Sequence, residues 1–324
     1  MYSLLFPLTR YKWITIALIL ASAGLIVGQT ILADADPFIL WINWGVAGLF
    51  AIGLWFIMGR FHLGGVSEGK ALAIAWPLMS MALNFSYLYF NPSVSFNQGL
   101  LQLSGLVCTI VLMLSTWQEE QATLRCLCIG FLIGFSASGI PHSILGLALV
   151  PAMTFHMRST SIRNIFSILT GAIMGVWVVY CVLFIFFAPE TADAMLMQFA
   201  KLVNMSDYSK VFSSYSLWHW LYIALLALLV VIYSLSALLL GTGHSVRSSA
   251  SIMLLSTLSI AEVLFLCFDI SNTAIYLNQL AMFLCIQLSV HQANLRSSAN
   301  EWWTIFILLT SIGISVLPLV FDYL

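Results

Sequence analysis

The chain has 324 residues, of which 61% are hydrophobic and 7% charged, with a mean hydropathy of +1.03 and a net charge of -1. A soluble globule carries roughly 25% charged residues, so this composition excludes one and requires a membrane protein. A pI of about 6.6 without a clustered basic face excludes a nucleic-acid partner.

A membrane helix needs about 20 predominantly apolar residues, and only helices or closed barrels satisfy the backbone in lipid. The apolar runs are continuous rather than alternating, which selects helices. Eleven such runs follow along the chain, near 12–32, 38–58, 71–90, 98–117, 124–140, 143–157, 164–188, 217–240, 250–268, 274–291 and 302–321. The expected fold is therefore all-α, a polytopic transmembrane helical bundle of about 11 spans forming a single integral membrane domain over 1–324. The first run lacks a small-residue cleavage motif and leads directly into the second, so it reads as a span and not as a cleaved signal. The 143–157 run is short, and the run before it is broken by Ser136, Ser138, Gly139 and Pro141. This pair reads either as two full spans or as a re-entrant hairpin.

Arg10, Lys12, Arg60, Lys70, Arg125, Arg158, Arg163, Arg247 and Arg296 fall in the amino-terminal tail or in even-numbered loops, while Lys201 and Lys210 fall on the other side. By the positive-inside rule the amino terminus is cytoplasmic and, with an odd number of spans, the carboxy terminus is extracytoplasmic.

The first outer loop holds Asp34 and Asp36. Asp36 followed by Pro37 is the favoured pairing of an N-cap side chain with proline at the first helical position. Asp34 has no such role. On the cytoplasmic side, Gly64-Gly65-Val66-Ser67-Glu68-Gly69-Lys70-Ala71 nearly spells a phosphate-binding loop, but it lacks the preceding strand and the Ser or Thr after the lysine. It reads as a hairpin loop. The cysteines, Cys108, Cys126, Cys128, Cys181, Cys267 and Cys285, lie in or at the ends of apolar runs and read as small buried hydrophobes, with no disulfide framework and no metal site.

"SASGIPHS", residues 136–143, breaks helical backbone at the outer surface and places His142 there. Gly- or Pro-interrupted segments point to binding sites when they line a cavity. The long outer loop 189–216 carries Ala192, Met195, Leu196, Phe199, Leu202 and Val203 at helical spacing, which predicts an amphipathic helix in the interface. An aromatic belt around His219 follows it.

Glu262 lies near mid-membrane in the ninth run, and Asp269 is seven residues later on the same face at the outer end. A bare carboxylate at that depth costs several kcal/mol, so it faces protein or a watery cavity, or stays protonated. Counted outward from the turn near Asn272, Gln279 matches the depth of Glu262, and a hydrogen bond between them is expected.

The stretches "CIGFLIGFSASGIPHSILGLALVPAMTFHMRSTSIRNIFSILTGAIMG" and "YLNQLAMFLCIQLSVHQANLRSSANEWWTIFILL" resemble an uncharacterised family of multi-pass inner-membrane proteins of the Bacteroidota. That family is similar in layout to the GT-C-type glycosyltransferases, which use polyprenyl-linked sugars and carry an acidic pair in the first outer loop as catalytic base or metal ligand. The resemblance implies a bacterial inner (plasma) membrane location, with Asp34 and Asp36 as the catalytic pair. His142 or His219 would bind the lipid phosphate, and a divalent cation would be the cofactor. The first outer loop is only a few residues long, however, where those enzymes usually carry a longer one.

Two other classes stay open. A transporter or flippase would use Glu262 as a protonatable gate and the 124–157 pair as broken helices at the substrate site, with Asp269 and Gln279 nearby. A non-catalytic membrane subunit of an envelope complex would need neither. Because all three share one topology, a cysteine introduced at Ala35 is expected to react with a membrane-impermeant maleimide added outside the cell. Labelling only after permeabilisation would overturn the orientation.

Overall fold

A computed structural model describes residues 16–17, 19–31, 36–61, 63, 68–89, 96–200, 215–240, 245–294, 306–311 and 313. Among these residues the regular structure is entirely helical. In chain order the helices are α1 (Ile19–Ile31), α2 (Pro37–Arg60), α3 (Glu68–Tyr89), α4 (Phe96–Ser115) and α5 (Thr123–Gly139). A 3-10 segment (Pro141–Leu149) then leads into α6 (Val150–His156) and α7 (Ile162–Phe186). The chain continues through α8 (Pro189–Ala200), α9 (Leu217–Leu240), α10 (Val246–Phe268) and α11 (Thr273–Asn294).

Five helices, α2, α7, α9, α10 and α11, are long and apolar enough to cross a bilayer, and four shorter apolar helices accompany them. Large apolar side chains cover the outside as well as fill the core, and several amide side chains lie inside. Leu239, Phe186 and Ile173 point outward at 83%, 76% and 71% exposure, whereas Asn84, Gln102, Asn278, Gln279 and Gln287 are buried. Lipid tails accept the first group as readily as a core would, and the second group finds partners only inside the bundle.

α11 is the axis of the molecule, with 94% of its span buried, and it packs against α3, α4, α9 and α10. Its polar residues act as rivets. Gln287 Nε2 donates to Ser234 Oγ at 2.6 Å and to Ser259 Oγ at 2.9 Å, joining α11 to α9 and α10. Ser86 Oγ donates to Asn278 Oδ1 at 2.9 Å, joining α3 to α11. Interhelical bonds of this kind average about 0.6 kcal/mol each in a bilayer, so they set register more than they supply stability.

The most intimate helix pair is α5 with α7. Gly130 and Gly134 on α5 face Gly171 and Gly175 on α7, and the backbones touch. A Cβ at Gly130 would lie 1.9 Å from the Ile168 carbonyl oxygen, and one at Gly134 would lie 2.1 Å from that of Ala172. From the other side, a Cβ at Gly171 would meet the Leu127 oxygen at 2.1 Å and one at Gly175 the Phe131 oxygen at 2.3 Å. Four residues separate the glycines on each helix, which puts them on one face and lets dispersion forces act between main chains.

The expected helix after Pro189 is present as α8, with Ala192 and Met195 buried and Met197 exposed; the remainder of the predicted segment, 201–214, lies outside the described residues. Cysteine burial departs from expectation. Cys126 and Cys285 are buried, but Cys108 and Cys267 face outward, because an apolar surface in lipid accepts a thiol as readily as the interior does.

The glycine seam makes a direct prediction. Gly134→Leu and Gly171→Val force the helices apart, at a cost above the ~1–3 kcal/mol of ordinary overpacking. Thermal unfolding of the detergent-solubilised protein should show a lowered midpoint for each, whereas Gly53→Ala, at a position with open space around it, should leave the midpoint in place.

Candidate functional site

The candidate site is a cavity of about 80 Å³ enclosed by α4, α5, the 3-10 segment, α6, α10 and α11. Its polar lining consists of Gln102, Thr109, Ser136, Ser143, Glu262, Tyr276 and Gln279. Each element presents these residues through its own winding. On α4, Gln102, Leu106 and Thr109 recur at helical spacing; on α10, Leu258, Glu262 and Phe265 do the same; on α11, Tyr276, Gln279 and Phe283 follow.

The 3-10 segment presents a different period. With 3.0 residues per turn, side chains three apart stack in line, and Ser143, Gly146 and Leu149 all line the cavity. Proline at the first position of this segment forces the break, since Pro141 cannot donate to α5. The Ser136 carbonyl at the break accepts both Ile140 N–H at 3.0 Å and Gln102 Nε2 at 2.9 Å. The loosened end of α5 is thereby fastened to α4.

Glu262 is 8% exposed and Gln279 7%. Both front the cavity, as their matched depths predict, but no hydrogen bond joins them. Gln279 Oε1 has no partner, and among the described residues no hydrogen bond or cation reaches the Glu262 carboxylate. The expected clamp is therefore absent, because the two side chains meet across open space instead of in contact. Asp269 is buried at 1%, where the chain turns from α10 to α11, and it accepts from Asn272 Nδ2 at 2.8 Å and from Tyr276 Oη at 3.4 Å. Tyr276 thus stands between Asp269 and the cavity.

The remaining candidates do not join this site. Asp36 is exposed at the start of α2 and its Oδ1 accepts from Phe38 N–H at 2.9 Å, the N-cap that the Asp-Pro pair predicts. Asp34 lies outside the described residues, as does the His142 side chain. His219 Nδ1 accepts from Ser216 N–H at 3.2 Å, so Ser216 and His219 close a box at the start of α9. The His219 ring packs among Tyr215, Tyr89 and Phe85 at centroid distances of 5.6, 5.2 and 6.0 Å. Burial pushes the Tyr215 hydroxyl above the ordinary phenol range. Asp193 on α8 accepts from Tyr180 Oη at 3.3 Å.

A second, larger cavity of about 560 Å³ runs between α2, α4, α10 and α11 and is lined by apolar groups such as Phe50, Leu103, Leu255 and Met282. Only Ser104 and Cys108 interrupt them, so it offers lipid-like space without chemistry.

Glu262, Gln279 and the broken stretch from Ser136 to Ser143 were legible in the sequence, whereas Gln102, Thr109 and Tyr276 were not. The spacing of Ser143, Gly146 and Leu149 after Pro141 was a further signal for that stretch. No protein-family model matches the chain, and no curated protein or solved structure matches it. The fold and cavity define its class, a helical membrane protein with one buried carboxyl facing a small polar chamber.

Asp36→Ala should cost about 0.5–2 kcal/mol through loss of the cap. Thermal unfolding should register that loss, while Asp36→Asn, which caps equally well, should restore the midpoint.

Proposed function

We propose that the chain is a multi-pass transporter of the bacterial inner membrane, with about eleven spans and a cytoplasmic amino terminus. In this reading Glu262 takes up and releases a proton coupled to the movement of a small solute or ion. The observation that carries the reading is the Glu262 carboxyl, more than nine-tenths buried in an apolar bundle and facing a polar cavity with no cation or hydrogen bond on it among the described residues. Such a group is costly at membrane depth and has no structural work to do there. The unwound stretch beside it adds support, since irregular backbone at membrane depth belongs where it lines a cavity.

The size of the cavity limits the cargo. A water needs roughly 10–15 Å³ of such space, so about 80 Å³ admits several waters or an ion and suits a small cargo better than a lipid chain. Access from the Asp269 end is guarded by Tyr276, whose hydroxyl is tied to Asp269. The alternative, a glycosyltransferase acting on a polyprenyl-linked sugar with a divalent cation, rests on Asp34 and Asp36. It draws less support, because Asp36 is engaged as a helix cap.

Liposomes holding a pH-sensitive dye provide the test. Under an imposed potassium diffusion potential, the wild-type protein should carry protons inward, and Glu262→Gln should lower that flux at least tenfold at equal incorporation. Equal flux in the two would remove Glu262 from the mechanism. Loss of cellular function on Asp34→Ala with Asp36→Ala, with Glu262→Gln silent, would favour the enzyme instead.

A further inference from the structure

We propose that the Glu262 cavity is a binding site for a dehydrated monovalent alkali cation, sodium above all, which competes there with the proton. The inference rests on reading Glu262 as the transport carboxyl and names the ion that shares it. The donor set carries it. Glu262 supplies two oxygens and one negative charge, and Gln279 supplies an amide oxygen that no donor among the described residues occupies. Thr109 Oγ1 donates its proton to the Gly105 carbonyl at 2.8 Å, which leaves the hydroxyl lone pairs to face the cavity as acceptors. Ser143 adds a hydroxyl from the 3-10 segment.

These are hard oxygen ligands, and no imidazole or thiol lines the cavity among the described residues. Softer transition metals are disfavoured by such a set. Charge selects the valence. Calcium and magnesium sites rely on several carboxylates or phosphates, whereas among the described residues no group of three His, Cys, Asp or Glu side chains converges anywhere. One carboxylate in a low-dielectric chamber is neutralised by one positive charge, and either H⁺ or Na⁺ supplies it. A divalent ion would leave an uncompensated charge. The volume suits the ion stripped of most of its water.

The surroundings leave Glu262 as the group that titrates in this competition. Tyr276 is the other ionisable side chain lining the cavity among the described residues, and Asp269 stands behind it. His156, at the end of α6, turns to Thr257 on α10 with Nε2 3.3 Å from Oγ1, and it does not line the cavity. α4 and α5 present only neutral groups to it.

The test uses the full chain in detergent, with 22Na⁺ binding by scintillation proximity and thermal unfolding in sodium, potassium or choline chloride at equal ionic strength. Sodium should bind saturably at pH 8.5, raise the unfolding midpoint relative to choline, and be displaced by acidification to pH 5.5. Glu262→Gln should abolish binding while unfolding normally in choline. Gln279→Leu and Thr109→Val, which leave the charge in place, should each weaken binding at least tenfold. Absence of a sodium-specific effect in the wild type, its persistence in Glu262→Gln, or tighter binding of calcium than sodium would each overturn the assignment. Proton flux in liposomes without any sodium effect would overturn this inference alone, whereas sodium binding without proton flux would uphold the site and remove the transport reading.

Discussion

The backbone contact between α5 and α7 is the constraint from which the rest of the site follows. Four glycines let two main chains meet at distances that no Cβ tolerates, and the contact repeats over about one helical turn on each side. α5 is thereby held along its length, and its last turn is pinned a second time where Gln102 reaches the Ser136 carbonyl. A helix so fixed delivers the break at Gly139 and Pro141 to one place. The 3-10 face, α10 and α11 can then enclose a small volume, because the wall opposite them does not move.

Within that enclosure the molecule sets one acidic side chain against an apolar background. The bundle's interior is largely apolar, and a few of its amides and hydroxyls join one helix to another. Glu262 and Gln279 differ from these in fronting the polar cavity. Gln287 Nε2 and Asn278 Oδ1 bind helices together, whereas Gln279 Oε1 stands beside open space.

Much of the fold was legible in the chain, because burial in lipid imposes a length and a composition that can be counted. The described helices from α2 to α11 fall on the predicted apolar runs, except α8, which falls in the loop expected to hold an amphipathic helix, and the break after Ser136 appears as interrupted helical spacing. The cap at Asp36 followed from its neighbour Pro37. What stayed hidden was arrangement in the membrane plane. Depth placed Asp36, His219 and Asp269 at a common level, yet the first two close helix ends and the third turns a corner. The seam at Gly130, Gly134, Gly171 and Gly175 was equally present in the letters, but small residues vanish into an apolar average, and only their four-residue spacing reveals them. The joint between α5 and α6 looked like either a pair of spans or a hairpin; the backbone is extended at Ile140, and Gln118 N–H donating to the Met157 carbonyl at 2.9 Å brings the end of α6 back beside the start of α5.

The 3-10 winding of Pro141–Leu149 adds length. Nine residues at the 3-10 rise of about 2.0 Å extend roughly 4.5 Å further than the same nine wound as an α-helix. Winding as an α-helix would unstack Ser143, Gly146 and Leu149, since a 3.6-residue turn no longer aligns every third side chain. The period of three is therefore what keeps the hydroxyl of Ser143 on the chamber side of this segment.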